Sequence, residues 1–404
     1  MRPAPLDALA GATGGHAGEA GPADAVDGVP ARWVASPGST DEAAAVLRVA
    51  DERDLAVVAR GAGTKLGWGA PPRQLDLVLD TRRLDRVVEH AAGDLVVVVQ
   101  AGVPLAALAD RLAGAGQRLA VDEVVPGSTV GGALATGLTG PRRLLAGGVR
   151  DLVLGATLVR ADGVVARSGG KVVKNVAGYD VAKLVCGAYG TLGLVTEAAF
   201  RLHPVAPAAA FVSVRVPDAD AAYAAVQRVL HAQFVPTAVE LDRSEPGGPV
   251  EIAVLVEGTD AGVAARTRQA LDALGPGADE CGQPAWWGRL PAGDVLVKAT
   301  SELAGVGRLL DGVEKSGPAS VRGSAGVGVF HLATSADEAP ALVETLRGAA
   351  PGWLGSVVVL AAPPAVRAAV DSWGPVSGLA LMRRVKEQFD PRARLAPGRF
   401  VGGI

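Results

Sequence analysis

Apolar and polar positions change their spacing several times along this 404-residue chain. Residues 32–35 read as a short strand. Ser36-Pro37-Gly38-Ser39-Thr40 follows, with Asp41 and Glu42 where first-turn acids complement the free N–H groups of a helix. Val46, Leu47 and Ala50 give that helix an apolar stripe. Residues 55–59 then form a buried strand, which makes the order β-α-β, and 75–79 and 95–101 read as further strands. Residues 104–114 predict a helix with Pro104 in its first turn and Gly114 at its end. Residues 151–160, Ala161-Asp162-Gly163 and 164–167 predict a strand, a D-G turn and a strand. A glycine turn at 190–193 enters a strand that ends at His203-Pro204.

From residue 206 onward strands and helices alternate. Strands are expected at 211–216, 237–242, 252–257, 294–299, 327–333 and 356–360, with helices at 218–231, 261–274, 302–315 and 337–348. A β-α-β-β-α unit used twice predicts an antiparallel sheet covered by helices. After residue 364 the pattern is mostly helical. Leu379, Met382, Val385 and Phe389 line one face before Asp390-Pro391 stops the helix.

Composition narrows the classes. Apolar residues make up 49% and mean hydropathy is +0.29, enough for a sizeable core and against a disordered chain. A net charge of −3 leaves no basic footprint for nucleic acid. The longest apolar stretch, 95–109, is broken by Gln100 and Pro104 and is short of the ~20 residues a spanning helix needs. Residues 1–30 are Ala/Gly/Pro-rich without an apolar signal region, so they predict a flexible tail on a cytoplasmic protein. Two cysteines, Cys186 and Cys281, exclude a disulfide framework, an iron–sulfur cluster and a Cys-rich zinc site within this chain.

Three loops carry candidate chemistry. Arg60-Gly61-Ala62-Gly63-Thr64-Lys65-Leu66-Gly67-Trp68-Gly69 follows a buried strand. Consecutive small residues let backbone N–H groups turn toward one point and form an anion nest. Thr64 adds a hydroxyl, and Arg60 or Lys65 a positive charge. Gly127-Ser128-Thr129-Val130-Gly131-Gly132 and Gly190-Thr191-Leu192-Gly193 are a second and a third nest, at intervals of about 65 residues. Four of the seven lysines, Lys65, Lys171, Lys174 and Lys183, fall in the same segment. The three loops together predict one long anionic ligand. A dinucleotide-binding Rossmann unit is excluded, because Trp68-Gly69-Ala70-Pro71-Pro72 cannot open a helix behind the first loop.

These loops resemble the FAD-binding domain of the vanillyl-alcohol oxidase and p-cresol methylhydroxylase superfamily, in particular the FAD-binding subunits of bacterial glycolate oxidases. The segments that carry the resemblance are ARGAGTKLGWG (59–69), PGSTVGG (126–132), VRDLVLGATLV (149–159), GGKVVKNVAGYDVAKL (169–184), GTLGLVTEA (190–198) and FDPRARLAPGRF (389–400). The implied fold is α+β: a PCMH-type FAD-binding domain of two subdomains at 31–205, an antiparallel-sheet cap domain at 206–363, and a C-terminal segment at 364–404 that returns to the FAD domain. FAD pyrophosphate would lie on Gly61, Ala62, Gly63, Thr64 and Lys65, beside Arg60. Pro126, Gly127, Ser128, Thr129, Gly131 and Gly132 would line the second contact, and Gly190 and Val195 the flavin side.

The resemblance also implies oxidation of a small 2-hydroxy acid, glycolate or lactate, with a paralogous flavoprotein and an iron–sulfur subunit as partners. Membrane association would come through those partners. Many members attach FAD through a His in the first loop; Thr64 stands there, so noncovalent FAD is expected. Catalytic subunits of this type carry H-A-G-D-G-N-L-H in the cap, where the histidines help bind metal. The similar stretch here is Ser324-Ala325-Gly326-Val327-Gly328-Val329-Phe330-His331, which retains only the last His and so predicts no metal site. His331 is expected to be a satisfied strand histidine. Trp286-Trp287 is expected to be cap core, with a partner contact as the alternative, and Tyr179 to pack or to approach the flavin. No catalytic residue is identified.

Overall fold

Ser39 starts the first long helix through its hydroxyl, which accepts from the Glu42 N–H at 3.1 Å in the computed structural model, whose described residues are 4–171 and 179–404. That helix, α2 (Thr40–Glu52), follows α1 (Pro5–Ala12), β1 (Ala17–Glu19) and β2 (Trp33–Ala35), and precedes β3 (Val57–Arg60) and β4 (Leu77–Asp80). The four strands form a sheet in the order β1-β2-β4-β3. β2 and β3 run parallel to β4, as the β-α-β order requires, and β1 is antiparallel to β2. Val46, Leu47 and Ala50 are buried against Leu77 and Leu79.

The expectation of a flexible tail at 1–30 is corrected here. Leu9 of α1 is fully buried in the same cluster, and Ala17–Glu19 pair with Trp33–Ala35. One large apolar side chain and a three-residue strand anchor a segment whose Ala/Gly/Pro composition conceals them.

A second sheet has the order β5-β6-β10-β8-β9, antiparallel throughout. Its strands are β5 (Val87–Ala91), β6 (Val96–Gln100), β8 (Val153–Val159), β9 (Val165–Gly169) and β10 (Leu194–Arg201), while β7 (Gln117–Arg118) pairs with β11 (His203–Pro204). The Ala161-Asp162-Gly163 turn joins β8 to β9 as predicted. Gly163 has φ +77°, and a Cβ there would stand 2.6 Å from the Ala44 carbonyl oxygen of α2, so a side chain is excluded twice over. Between β6 and β8 lie α3 (Leu105–Ala113), α4 (Val130–Thr136), α5 (Arg143–Ala146) and α6 (Val149–Leu152); α7 (Val181–Val185) precedes β10. The second glycine loop, 127–132, therefore runs into α4, capped by Thr129.

The chain divides into two units: Met1–Leu138, Gly148–Val205 and Pro375–Ile404 form one, and Thr139–Gly147 with Ala206–Gly374 the other. The second unit is one eight-stranded antiparallel sheet. Its elements in chain order are β12 (Ala208–Val216), α8 (Ala219–His231), β13 (Ala238–Arg243), β14 (Val250–Gly258), α9 (Asp260–Leu274), β15 (Asp279–Cys281), β16 (Val295–Thr300), α10 (Val306–Ser316), β17 (Ser320–Ser324), β18 (Val329–Thr334), α11 (Ala339–Ala349), β19 (Ser356–Ala361) and α12 (Pro364–Ala369). The strand order is β15-β12-β14-β13-β17-β18-β16-β19. β-α-β-β-α occurs twice, and the two repeats join where β13 pairs with β17. The core lies between the sheet and α8–α11, around Val239, Ile252, Leu309 and Phe330.

On the other sheet face Trp287 is buried with Ala253 and Leu255 and meets the Phe211 ring edge-on at 5.0 Å. Trp286 leans on Trp287, so the pair forms a satellite core. The last helix, α13 (Leu379–Phe389), belongs to the first unit. Beyond it the Ala396 N–H donates to the Val57 carbonyl and the Val57 N–H to the Arg394 carbonyl, each at 2.8 Å, which adds the C-terminal segment to the edge of β3. Among the described residues no helix is long and apolar enough to cross a membrane.

Candidate functional site

The first loop leaves β3 at Arg60, and the second opens α4 at Thr129. The two touch through the absence of a side chain. A Cβ on Gly61 would stand 2.4 Å from Thr129 Oγ1, and one on Gly131 would stand 2.8 Å from the Ala101 Cβ. Thr129 Oγ1 accepts from the Gly132 N–H at 3.2 Å and so fixes the start of α4. The third loop reaches the same place with Gly190 at φ +75° and nothing within 4 Å of a Cβ built there. Gly61, Gly131, Gly132, Gly190 and Val195 thus line one cavity. An adjoining cavity shares Arg60, Gly61 and Gly132 with it and adds Ala62, Gly63, Thr64, Lys65 and Thr129. Pro126 and Gly127 are exposed and line neither; Ser128 is buried behind Lys65.

Charge at the groove is distributed differently from the sequence reading. Arg60 forms ion pairs with Asp24 at 2.7 Å and Asp80 at 2.9 Å, so its guanidinium is held in the scaffold instead of offered to an anion. Burial pushes the Asp80 carboxyl up, but hydrogen bonds from Arg82 and Arg60 outweigh it and hold the group below the usual carboxylate range. Lys65 is buried, and its Nζ donates to Ser128 Oγ at 2.6 Å and Thr64 Oγ1 at 3.3 Å. Burial lowers the Lys65 pKa to about 8 against an opposing pull from Glu123. Lys171 pairs with Glu89 and Lys183 with Asp180, away from the groove; Lys174 lies outside the described residues. Tyr179 is 95% exposed.

Tyr189 and Arg399 are among the groove residues that escaped the sequence reading. Tyr189, a non-glycine residue at φ +54°, lines the second cavity, and its ring lies 5.9 Å from that of Phe400. Arg399 lines it too and donates to the Leu66 and Trp68 carbonyls at 2.6 and 2.7 Å, bracing the first loop from the far end of the chain. The quoted segment 389–400 held the signal for Arg399, but its target lies more than 300 residues away.

The second unit has a polar face opposite its helices. Lys298, His331 and Arg322 stand side by side across β16, β18 and β17. His331 is not the satisfied strand histidine expected: its Nε2 is buried without a hydrogen-bond partner among the described residues. Burial, and then Lys298 and Arg143, lower its pKa to about 3. Burial, and then Arg143, also lower Lys298. Ser324, where the metal-binding motif begins with His, shares that sheet face and pairs in register with Glu240. Lys298 was passed over because a lone Lys in an alternating strand looks like an ordinary outward residue.

Residues 31–169 match the FAD binding domain family, and residues 370–400 the family of FAD linked oxidases, C-terminal domain. The chain is 39% identical over 150 residues to glycolate oxidase subunit GlcE of Escherichia coli (strain K12), which covers 37% of this chain and 42% of that one. It is 34% identical over 208 residues to glycolate oxidase subunit GlcD of Bacillus subtilis (strain 168), 51% of this chain and 44% of that one. It is 37% identical over 171 residues to D-lactate dehydrogenase of Archaeoglobus fulgidus, 42% of this chain and 38% of that one. The match thus spans less than half the length of each of these relatives. The fold is shared with p-cresol methylhydroxylase at a TM-score of 0.74 and 16% identity, over 98% of this chain and 96% of that one. It is shared with 4-ethylphenol oxidase from Gulosibacter chungangensis at 0.73 and 16% identity, with the same coverage.

Proposed function

We propose that the chain, whose residues 31–169 match the FAD binding domain family and whose fold is that of p-cresol methylhydroxylase, holds FAD noncovalently in the groove of its first unit and acts on a small 2-hydroxy acid, glycolate or lactate, as one subunit of a glycolate oxidase-like complex. The observation that carries the cofactor reading is the convergence of Gly61, Gly131, Gly132 and Gly190 from three distant loops on one groove, where Gly61 and Gly131 have no room for a Cβ and Gly190 holds a positive φ. Such a wall suits a dinucleotide, because backbone amides reach a diphosphate only where no Cβ intervenes. Thr64, at the position of the tethering His, has a hydroxyl that accepts from Lys65 and offers no imidazole for a covalent link.

When bound, FAD supplies the electron acceptor for hydride from the hydroxyl-bearing carbon. The residues of the chain bind and orient. In the first unit the loop amides and Lys65 hold the cofactor. In the second, Lys298 and Arg143 provide positive charge for a substrate carboxylate, and His331 stays neutral beside them. Cys186 and Cys281 are free thiols and build no cluster between them, so electrons pass onward through an iron–sulfur partner. The missing motif residues at Ser324, Val327 and Val329 support a paralogous flavoprotein partner as the main site of substrate oxidation. The subunit is cytoplasmic and meets a membrane only through its partners.

The test is reconstitution with FAD followed by anaerobic addition of glycolate or D-lactate, with and without the partner subunits. The expected result is visible flavin absorbance that bleaches when the partners are present. Absence of bound flavin overturns the reading. Flavin that no 2-hydroxy acid bleaches even in the complex would make the chain a scaffold with structural FAD, and rapid bleaching of the isolated chain would make it an autonomous dehydrogenase.

A further inference from the structure

Lysines are few in this protein, and most are engaged. Of the seven, Lys174 lies outside the described residues. Lys171 pairs with Glu89, Lys183 with Asp180 at 2.9 Å, Lys315 with Asp311 at 2.7 Å and Lys386 with Asp390 at 2.6 Å. Lys65 donates to Ser128 Oγ and Thr64 Oγ1. Lys298 on β16 differs from all of these. Among the described residues nothing accepts a hydrogen bond from it, and no carboxylate forms an ion pair with it.

The sheet sets this amine beside other basic groups. Its register partner on β18 is His331, and the partner of His331 on β17 is Arg322; on the other side stands Val358 of β19. Arg322 is engaged by Asp242 Oδ1 at 2.6 Å and the Leu290 carbonyl at 3.2 Å. His331 is buried and neutral, so it offers no anion to hold a proton on the amine. Lys298 is half-buried, and burial and then the Arg143 charge hold its amine below the usual lysine range. Desolvation and a neighbouring cation are the two conditions that turn a lysine from a charge carrier into a nucleophile.

We propose that Lys298 is a nucleophilic amine that captures a 2-oxo acid, the product of 2-hydroxy acid oxidation, as an imine on the eight-stranded sheet of the second unit. The class of ligand rests on the proposed function; the reactivity of the amine does not. The nitrogen lone pair forms a bond to the carbonyl carbon while the C=O π pair moves to oxygen. The nitrogen then gives up two protons, and the oxygen leaves with them as water. No oxidant or reductant is required. The Arg143 charge draws the carboxylate of the acid to the same place. The ammonium form of Lys298 pairs with a carboxylate, whereas the free amine attacks a carbonyl. A 2-hydroxy acid carries only the first of these groups and its oxidised product carries both, so one residue distinguishes the two.

The experiment treats the full chain with glyoxylate and sodium cyanoborohydride and follows carboxymethylation of each lysine by peptide mass spectrometry. Reduction of an imine leaves a stable carboxymethyl group on the nitrogen that formed it. Lys298 is expected to be labelled about tenfold faster than Lys171, Lys183 and Lys315, because each unit by which an amine pKa falls gives about ten times more free base at neutral pH. The comparison lies within one wild-type chain, so it does not depend on a variant that folds. Lys298→Arg is expected to lose the fast label and keep the slow ones. Labelling of Lys298 no faster than of the three paired lysines overturns the proposal, and so does a fast label that persists in Lys298→Arg. Equally fast labelling by propanal, which has no carboxylate, overturns the assignment of an acid as the ligand. Excess glycolate is expected to slow the label. A fast label on Lys298 that neither glycolate nor D-lactate slows upholds the imine and refutes the 2-hydroxy acid reading of the second unit.

Discussion

Lys386 Nζ lies 2.6 Å from Asp390 Oδ2, one helical turn away, with both residues buried. The same ammonium donates to the Thr191 carbonyl at 2.8 Å and the Leu395 carbonyl at 2.9 Å, and Asp390 Oδ2 accepts from the Leu395 N–H at 2.7 Å. One ion pair therefore binds α13, the third glycine loop and the C-terminal segment into the first unit.

Removing one partner of a buried pair strands the other. Lys386→Met is expected to destabilise the protein by about 3–5 kcal/mol, which urea unfolding will measure. Replacing both residues with apolar side chains should cost less than either single change, because no unpaired charge is left inside.

Gly61→Ala places a methyl against Thr129 Oγ1, where the ideal separation is only 2.4 Å. Thr129 must then release the Gly132 N–H, at a cost of about 1 kcal/mol for the lost cap, and the groove narrows. The expected outcome is loss of FAD with a small fall in melting temperature. Gly190→Ala meets no neighbour within 4 Å but carries φ +75°, so its cost is backbone strain of about 1–2 kcal/mol. Flavin content per polypeptide separates the two variants: Gly61→Ala should lose more cofactor.

His331 has a folded pKa of about 3, below its ordinary value of 6.5. The unfolded chain therefore binds the proton first as pH falls. Stability from this group is full above 6.5 and is lost between 6.5 and 3. Imidazole resonances are expected to show no titration of His331 between pH 5 and 8, and His331→Asn should flatten the acid limb of the stability curve.

The sign at Lys65 is the reverse on binding. Free, its pKa is about 8; a diphosphate beside it raises that value, so FAD binding takes up a proton near and above pH 8. Affinity is expected to fall as pH rises from 8 to 10. Lys65→Met should remove that slope, which fluorescence titration across the range will show. Without cofactor, the depressed pKa gives the opposite trend: stability gains as pH rises from 8 toward the unfolded value of 10.5.

Asp80 and Asp24 titrate on the acid side. Both carboxyls are held below 3.8, Asp24 against burial by its hydrogen bonds with Arg60 and the Gly21 N–H. Their contribution is complete above pH 4 and is lost as pH falls through their folded values. Asp80→Asn should therefore lower stability at pH 7 more than at pH 3, as urea unfolding at the two values will show.

Local rules were enough for much of the fold. Ser39 with Asp41 and Glu42, the Asp162-Gly163 turn, and the twice-used β-α-β-β-α order act over a few residues, so their outcome is written in neighbouring positions. The grouping of three glycine loops was legible for a related reason: a wall that excludes side chains must consist of residues that have none. What the sequence could not specify is how each charge is spent. Arg60 and Lys65 are five positions apart on one loop and look interchangeable there. Only packing against Asp24 and Asp80 on one side and Ser128 on the other makes the first a scaffold cation and leaves the second without a carboxylate. Leu9 and β17 were hidden likewise, because a single buried leucine or a Ser/Gly-rich strand acquires meaning only from the partners that tertiary structure brings to it. The sequence determined the elements and the kind of ligand; the long-range contacts decided which residues hold the protein together and which remain to hold the ligand.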